Sequence, residues 1–319
     1  MDRGPMRRRL DLVLIPFTDP DTGRVFELPY PDPRRYDWRT IDGVRYLHDR
    51  LDGSLIEEGA FWEGMNKFPS LPVYDQKQLI GSSQEYVESR RGPIRAQLLD
   101  AVDSPNYRSP SEDFLRSIPT ETHDFVILSL DLVGSTNRAI GTPLGEYART
   151  MQVVFSEIGE VLPKFHGHVL KHTGDGVIAY FAAPGFITMH DLAIDCALTL
   201  RRLVYEGFNP VLRELGRKEL ATRMGLDSGT IAVVSVGSVS SKQERDLIGE
   251  VVSLACKIQG LAPVGGITLG DEVLCNLHLT WRGICEEVQL PPTWTYRSPE
   301  SDRPYRVHLV QARDWNQPG

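Results

Sequence analysis

Phe125 to Val133, FVILSLDLV, is a nearly continuous apolar run of strand length, and it constrains this chain more than any other segment. A strand of that kind is buried on both faces, so the elements around it must supply a layer on each side. Asp131 interrupts the run close to its end. After Gly134, apolar residues recur at Leu144, Tyr147, Met151, Val154, Ile158, Leu162 and Phe165. Steps of three or four predict one long amphipathic helix, which Pro143 can open because its first turn needs no N–H there. Val169 to Lys171 and Val177 to Phe181 then read as short strands joined by Thr173-Gly174-Asp175-Gly176, a tight turn rich in glycine. Asp175 stands at its tip.

Further on, a second helix is expected from about Met189 to Tyr205, with Leu192, Cys196, Leu200 and Leu203 on one face. Strands follow at Arg223 to Asp227 and Ile231 to Val236, then a helix from about Val251 to Leu261, a strand near Gly266 to Leu269 and a closing strand at Tyr305 to Val310. This order of strands and helices predicts an α+β fold, a ferredoxin-like palm containing antiparallel pairs. Upstream, Leu10 to Phe17 and Arg24 to Leu28 flank the turn-like Asp19 to Gly23 and predict a hairpin. Mixed helical patterns with aromatic residues are expected from there to about Leu99. Between residues 103 and 123, Pro, Ser and acidic residues crowd together without an apolar period, which marks a linker. The expected organisation is therefore a smaller N-terminal α+β accessory region at 1–102, a linker at 103–123, the main domain at 124–311 and a tail at 312–319.

The 319 residues carry 35 Lys plus Arg against 43 Asp plus Glu, a net charge of −8. No basic face is available for nucleic acid or anionic lipid, so neither is expected as a partner, and any phosphate must be met locally by a few cations or metal ions. Cys196, Cys256, Cys275 and Cys285 have no metal-ligand spacing and read as reduced, packed thiols. Arg7, Arg8 and Arg9 precede an apolar run that contains Asp11 and stops at Pro16, which does not make a signal peptide. No stretch approaches the roughly 20 apolar residues that span a bilayer. The expected location is the cytoplasm.

Asp131 and Asp175 share one setting: each is a carboxylate where a hydrophobic strand ends, beside glycines that let a large anionic ligand approach the backbone. Two carboxylates from neighbouring strand ends suit Mg2+ or Mn2+, which take oxygen ligands and complete their shells with substrate phosphates. The alternative is that each is a turn or cap residue.

Leu130-Asp131-Leu132-Val133-Gly134-Ser135-Thr136 followed by Lys171-His172-Thr173-Gly174-Asp175-Gly176 resembles the class III adenylyl and guanylyl cyclase domain. The likeness continues through Met224 to Gly229 and Asp246 to Lys257 and covers residues 124 to 311. It implies a nucleotidyl cyclase that closes a nucleoside triphosphate into a 3′,5′-cyclic nucleotide and releases pyrophosphate. By the same resemblance, Asp131 and Asp175 hold two Mg2+ or Mn2+ ions per active site, and Gly134, Ser135 and Thr136 contact substrate. Each active site is implied to lie across the interface of a homodimer. Lys171 and Asp246 fall where adenylyl cyclases carry their base-reading lysine and aspartate. Lysine donates and a carboxylate accepts, so this pair could hold adenine, cytosine or uracil. The plainer readings are that Lys171 pairs with a neighbouring carboxylate and that Asp246 caps the helix it precedes.

Three positions depart from the family. Ser253 stands where an asparagine is usual, Lys257 where a transition-state arginine is, and Thr230 where another arginine is often found. Lysine keeps the charge but loses the two-point grip of guanidinium. Arg297 or Arg303 could supply phosphate charge instead. These substitutions, with the run from Asp246 to Ala262, are most similar to the stand-alone pyrimidine cyclases of bacterial anti-phage systems. That likeness implies cyclic UMP or cyclic CMP acting on a separately encoded effector. An ATP-specific adenylyl cyclase and a silent nucleotide-binding homologue are the alternatives.

Overall fold

The computed structural model describes residues 10–18, 20, 23, 25–50, 53–66, 80–99, 111–182, 186–237, 244–298 and 303–311. The expected tail at 312–319 and the first part of the expected linker lie outside them. The chain divides into two compact units, Met1–Tyr74 with Leu277–Gly283, and Asp75–Asn276 with Ile284–Gly319.

In the first unit, β1 (Leu12–Thr18) and β2 (Val25–Pro31) form the antiparallel hairpin expected from the sequence. Beyond it, the expected helical patterns give way to a meander of β3 (Tyr36–Ile41), β4 (Val44–Asp49) and β5 (Leu55–Glu57) before α1 (Glu58–Asn66). The signal for this was Asp42-Gly43. Both residues have positive φ, 50° and 82°, which makes the two-residue turn that suits the strand twist. Tyr36, Leu47 and Phe61 form the small core. Buried Arg35 bridges Asp11 at 3.1 Å and Asp49 at 2.7 Å, so its charge is matched where water cannot reach it.

The second unit begins with α2 (Ser83–Leu98) and α3 (Ser111–Ser117). Then come β6 (Thr122–Leu132), α4 (Ser135–Ile140), α5 (Leu144–Val161), a 3-10 turn at Leu162–Phe165, β7 (Gly167–Thr173) and β8 (Gly176–Phe181). α6 (Phe186–Arg202) runs on through a π-helical segment, Leu203–Phe208, into α7 (Asn209–Glu214). β9 (Thr222–Val236), β10 (Glu244–Ile248), α8 (Glu250–Leu261), β11 (Ile267–Gly270) and α9 (Asp271–Asn276) follow. The short α10 (Leu279–Arg282) belongs to the first unit, and β12 (Cys285–Glu287) and β13 (Val307–Val310) complete the sheet. Strand order is β12-β13-β11-β9-β6-β8-β7, with β10 on β9. The run β9-β6-β8-β7 is antiparallel throughout. It is the fourth, first, third and second strand of a β-α-β-β-α-β unit, the ferredoxin-like palm.

β6 is the buried central strand its sequence demanded, with Phe125 to Leu130 all in the core. α8 covers the face that carries Phe125, Ile127, Ile178 and Tyr180, and α6 packs on the other side. Gly225 of β9 lies directly under α8, where an added Cβ would overlap Gln259 N and Ala255 O. The two strands expected at 223–227 and 231–236 are one continuous β9, because Ser228, Gly229 and Thr230 stay in register with Val126, Phe125 and Asp124. The expected long helix opens at Leu144, with Pro143 at the cap position.

The compact units part before α2, not at the expected linker. α2 is integral to the second unit because it buries Val87, Ile94 and Leu98. Arg90 also grips the fully buried Glu157 of α5 through two hydrogen bonds of 2.8 and 2.6 Å. Within the expected linker, α3 places Leu115 in the core. No disulfide joins the four cysteines, and Cys196 is buried. Among the described residues, no helix is long and apolar enough to cross a membrane.

Candidate active site

The main candidates converge where β6 ends. Asp131 is its penultimate residue, and Asp175 occupies the turn between β7 and β8, preceded by Gly174 at φ 72°. The β6–β8 ladder closes with Leu130 opposite Val177, so Asp131 comes level with Gly176, next to Asp175. A Cβ built on Gly176 would lie 2.8 Å from Leu130 O and 2.8 Å from Thr173 Oγ1, with Asp131 Oδ1 at 3.6 Å. The turn thus seats tightly against the end of β6. Burial, and then the neighbouring Asp175 charge, push the Asp131 carboxyl above its usual value, while Arg223 pulls it down.

This is a donor set that fits a divalent cation. Among the described residues no group of three or more His, Cys, Asp or Glu forms a metal cage. Two carboxylates leave coordination positions for water and phosphate, as Mg2+ prefers. Their mutual repulsion is the charge imbalance a cation would relieve.

Gly134, with φ 72°, turns the chain straight from β6 into α4, which Ser135 and Thr136 open. Lys171 follows a bulge in β7, and its Nζ lies 2.9 Å from Asp246 Oδ2. The two proposed base readers therefore pair with each other. Asp246 does not cap α8. It is a strand residue of β10 whose Oδ1 accepts a 2.8 Å hydrogen bond from Leu247 N, and Gly249 takes the cap position. Lys171, Ile178 and Ser129 share one row of the sheet. Asp131 lies two residues further along and two strands away from Lys171, about 12 Å from strand spacing and rise.

Ser253 and Lys257 are exposed on α8, four residues apart and so on one face. Among the described residues no hydrogen bond or ion pair joins either to the aspartates. Thr230 donates a 2.8 Å hydrogen bond to Asp124 Oδ1. Arg297 and Arg303 are exposed beside the Arg297–Pro304 bridge.

Sequence reasoning passed over two groups on β9. Arg223 stands opposite Asp131 in the β6–β9 ladder. Asp227, opposite Ile127 and on the same face, is 1% exposed. Tyr305 Oη donates a 2.6 Å hydrogen bond to Asp227 Oδ1 and accepts one of 3.2 Å from Glu272 N. Burial drives the Asp227 carboxyl up to about 8, against the pull of its hydrogen bonds from Tyr305 and Ser228. Arg223, Gly225 and Asp227 alternate with Met224 and Leu226 along the strand, but which residue each one faces is set by the ladder register.

Fold and site together define a palm domain that presents two acidic residues at the end of its central strand. Comparison with known proteins narrows this. No family model matches the chain. It is 28% identical over 171 residues to a cytidylate cyclase of Escherichia coli, covering 50% of this chain and 36% of that protein. It is 30% identical over 143 residues to adenylate cyclase 1 of Rhizobium meliloti, covering 44% of this chain and 20% of that one. Its fold matches the adenylyl cyclase CyaB from P. aeruginosa with a TM-score of 0.53 at 18% identity, covering 63% of this chain and 100% of the other. It matches the guanylyl cyclase Cya2 with a TM-score of 0.51 at 20% identity, covering 62% and 98%. In sequence and in fold the chain is similar to nucleotidyl cyclases, and it spans about a third of one of these curated relatives and a fifth of the other.

Proposed function

We propose that this protein converts a nucleoside triphosphate, UTP or CTP by preference, into a 3′,5′-cyclic nucleotide and pyrophosphate. The observation that carries the reading is the Asp131–Asp175 pair, two carboxylates brought together at the end of a cyclase palm, whose repulsion Arg223 offsets only in part. They would hold Mg2+ or Mn2+. Bound there, such ions supply Lewis-acid charge that activates the ribose 3′-hydroxyl and stabilises the departing pyrophosphate. The chain between Gly134 and Thr136 would meet the phosphates, directly beside Asp131.

Lys171 and Asp246 would read the base. They pair at 2.9 Å while roughly a third or more of each side chain is exposed, so a base edge can replace the partner each now has. The match to a cytidylate cyclase supports a pyrimidine; the match to adenylate cyclase 1 supports ATP as the second reading. Ser253 and Lys257, exposed on α8 and without a hydrogen bond or ion pair to the aspartates of their own chain among the described residues, would act across a homodimer interface. Lys257 would then place a point charge near the reacting phosphate. We further propose that the enzyme works in the cytoplasm and that its product activates a separate effector in anti-phage defence, by the sequence likeness to pyrimidine cyclases.

Incubation of the purified protein with equimolar ATP, GTP, CTP and UTP plus Mn2+, with products identified by mass spectrometry, tests the proposal. Cyclic UMP or cyclic CMP is expected. Cyclic AMP alone would overturn the pyrimidine preference, and no cyclic product would overturn the activity.

A further inference from the structure

We propose that Arg223 binds the triphosphate, supplying cationic charge beside Asp131 that the family's arginine positions no longer provide in this chain. The inference rests on the cyclase reading. Its first support is register. Arg223 faces Asp131 directly across the β6–β9 ladder, so their side chains leave the same face of the sheet with Cβ atoms about 5 Å apart. Anything held by Asp131 is within reach of a guanidinium rooted there.

The second support is an unmet donor. Arg223 Nε is buried and has no hydrogen-bond partner, and among the described residues the side chain makes no ion pair, Asp131 included. Most other buried or half-buried arginines here are engaged: Arg35 with Asp11 and Asp49, Arg90 with Glu157, Arg201 with Gly265 O, and Arg217 with Leu98 O. A guanidinium nitrogen kept out of water without an acceptor is costly to leave so, and an oxygen-rich anion reached by the half-buried side chain would complete it. Arg245 also has a buried unpartnered nitrogen, but it shares its face of β10 with Leu247, which is in the apolar core.

The third support is charge. Asp131 and Asp175 would repel a triphosphate that arrives before or without metal, and Arg223 is the cation whose field reaches Asp131. A planar fork can also take two phosphate oxygens at once. Positions 230 and 257 cannot do this, since Thr230 is tied to Asp124 and Lys257 has a single ammonium.

Binding measured without turnover separates this role from the chemistry. Titration calorimetry of UTP, CTP and ATP in excess EDTA is done on wild type, Arg223→Gln and Arg223→Lys, with uridine, cytidine and adenosine as phosphate-free controls. Arg223→Gln is expected to weaken triphosphate binding about tenfold or more and to flatten its salt dependence, and Arg223→Lys to weaken it about threefold. Nucleoside binding should be unchanged in both. Wild-type triphosphate affinity in Arg223→Gln, or in Arg223→Lys where the glutamine variant does not fold, overturns the proposal and leaves the cyclase reading standing. Equal losses for nucleoside and triphosphate reduce Arg223 to a structural role and overturn it too. A wild type that binds no triphosphate in EDTA overturns the role given to Arg223 and leaves the cyclase reading, which needs metal, to the turnover assay with Mn2+.

Discussion

Asp131 and Asp227 lie on the same face of the same sheet, yet the protein treats them in opposite ways. Asp227 is sealed under α8 and near β11, and its burial is answered by a tyrosine hydroxyl that donates at 2.6 Å. Asp131 is only half buried, and of the two charges that act on it the stronger is another carboxylate. Asp227 is given a hydrogen-bond donor and held neutral, as suits a structural acid, whereas Asp131 is left half buried and poorly compensated, as a ligand-binding acid would be. Glu157 shows a third treatment: fully buried, but gripped by the Arg90 fork. The unmet charge, more than the presence of an aspartate, distinguishes the candidate reaction centre.

The largest effect should come from the open pair. Asp131→Ala and Asp175→Ala are each expected to lower turnover by at least about 1,000-fold, since metal charge stabilisation amounts to several kcal/mol. Neither should lower stability by more than about 1 kcal/mol, because each removes like-charge repulsion. A large fall in unfolding midpoint with activity retained would erase the contrast with Asp227.

Arg90→Ala should do the reverse, costing about 3 kcal/mol of stability by leaving Glu157 buried and unpaired. Chemical denaturation measures this, and specific activity of the folded fraction should be unchanged. Tyr305→Phe should cost about 1–2 kcal/mol, because the Asp227 carboxyl loses its main donor. An unchanged denaturation midpoint would mean that the hydroxyl contributes nothing.

A further effect concerns pH. The folded-state pKa of Asp227 is raised from 3.8 to about 8, so the folded protein keeps a proton that the unfolded chain has released. The resulting stability is complete below about pH 3.8 and is lost as pH rises toward about 8. Between pH 5 and pH 8.5 the thermal midpoint of the wild type should fall relative to Asp227→Asn. Parallel profiles would show that Asp227 is ionised in both states.

Much of this was legible in the sequence. Phe125 to Val133, the Thr-Gly-Asp-Gly turn and the steps of the α5 and α6 helices all declared themselves, because each is a local pattern set by burial and backbone geometry. The Asp131–Asp175 pairing was legible as well, since each acid stands where a strand ends. What stayed hidden depends on contacts remote in sequence. Nothing near Asp246 says that it lies in an edge strand facing Lys171. Nothing in the polar surface of α2 announces that Arg90 closes on Glu157, so the unit boundary was expected too far downstream. Asp42-Gly43 did carry its hairpin signal, which the aromatic residues around it obscured. Arg223 was passed over because an arginine near a strand start usually reaches solvent, and only the ladder register sets it against Asp131.

The central claim is that Asp131 and Asp175 form the reaction centre. The most direct test follows cyclic nucleotide and pyrophosphate together, with Mn2+ and all four triphosphates, in the wild type and both alanine variants. The account predicts equal amounts of the two products from the wild type and neither from the variants, with all three proteins folded. Cyclic product from either variant at the wild-type rate would contradict it.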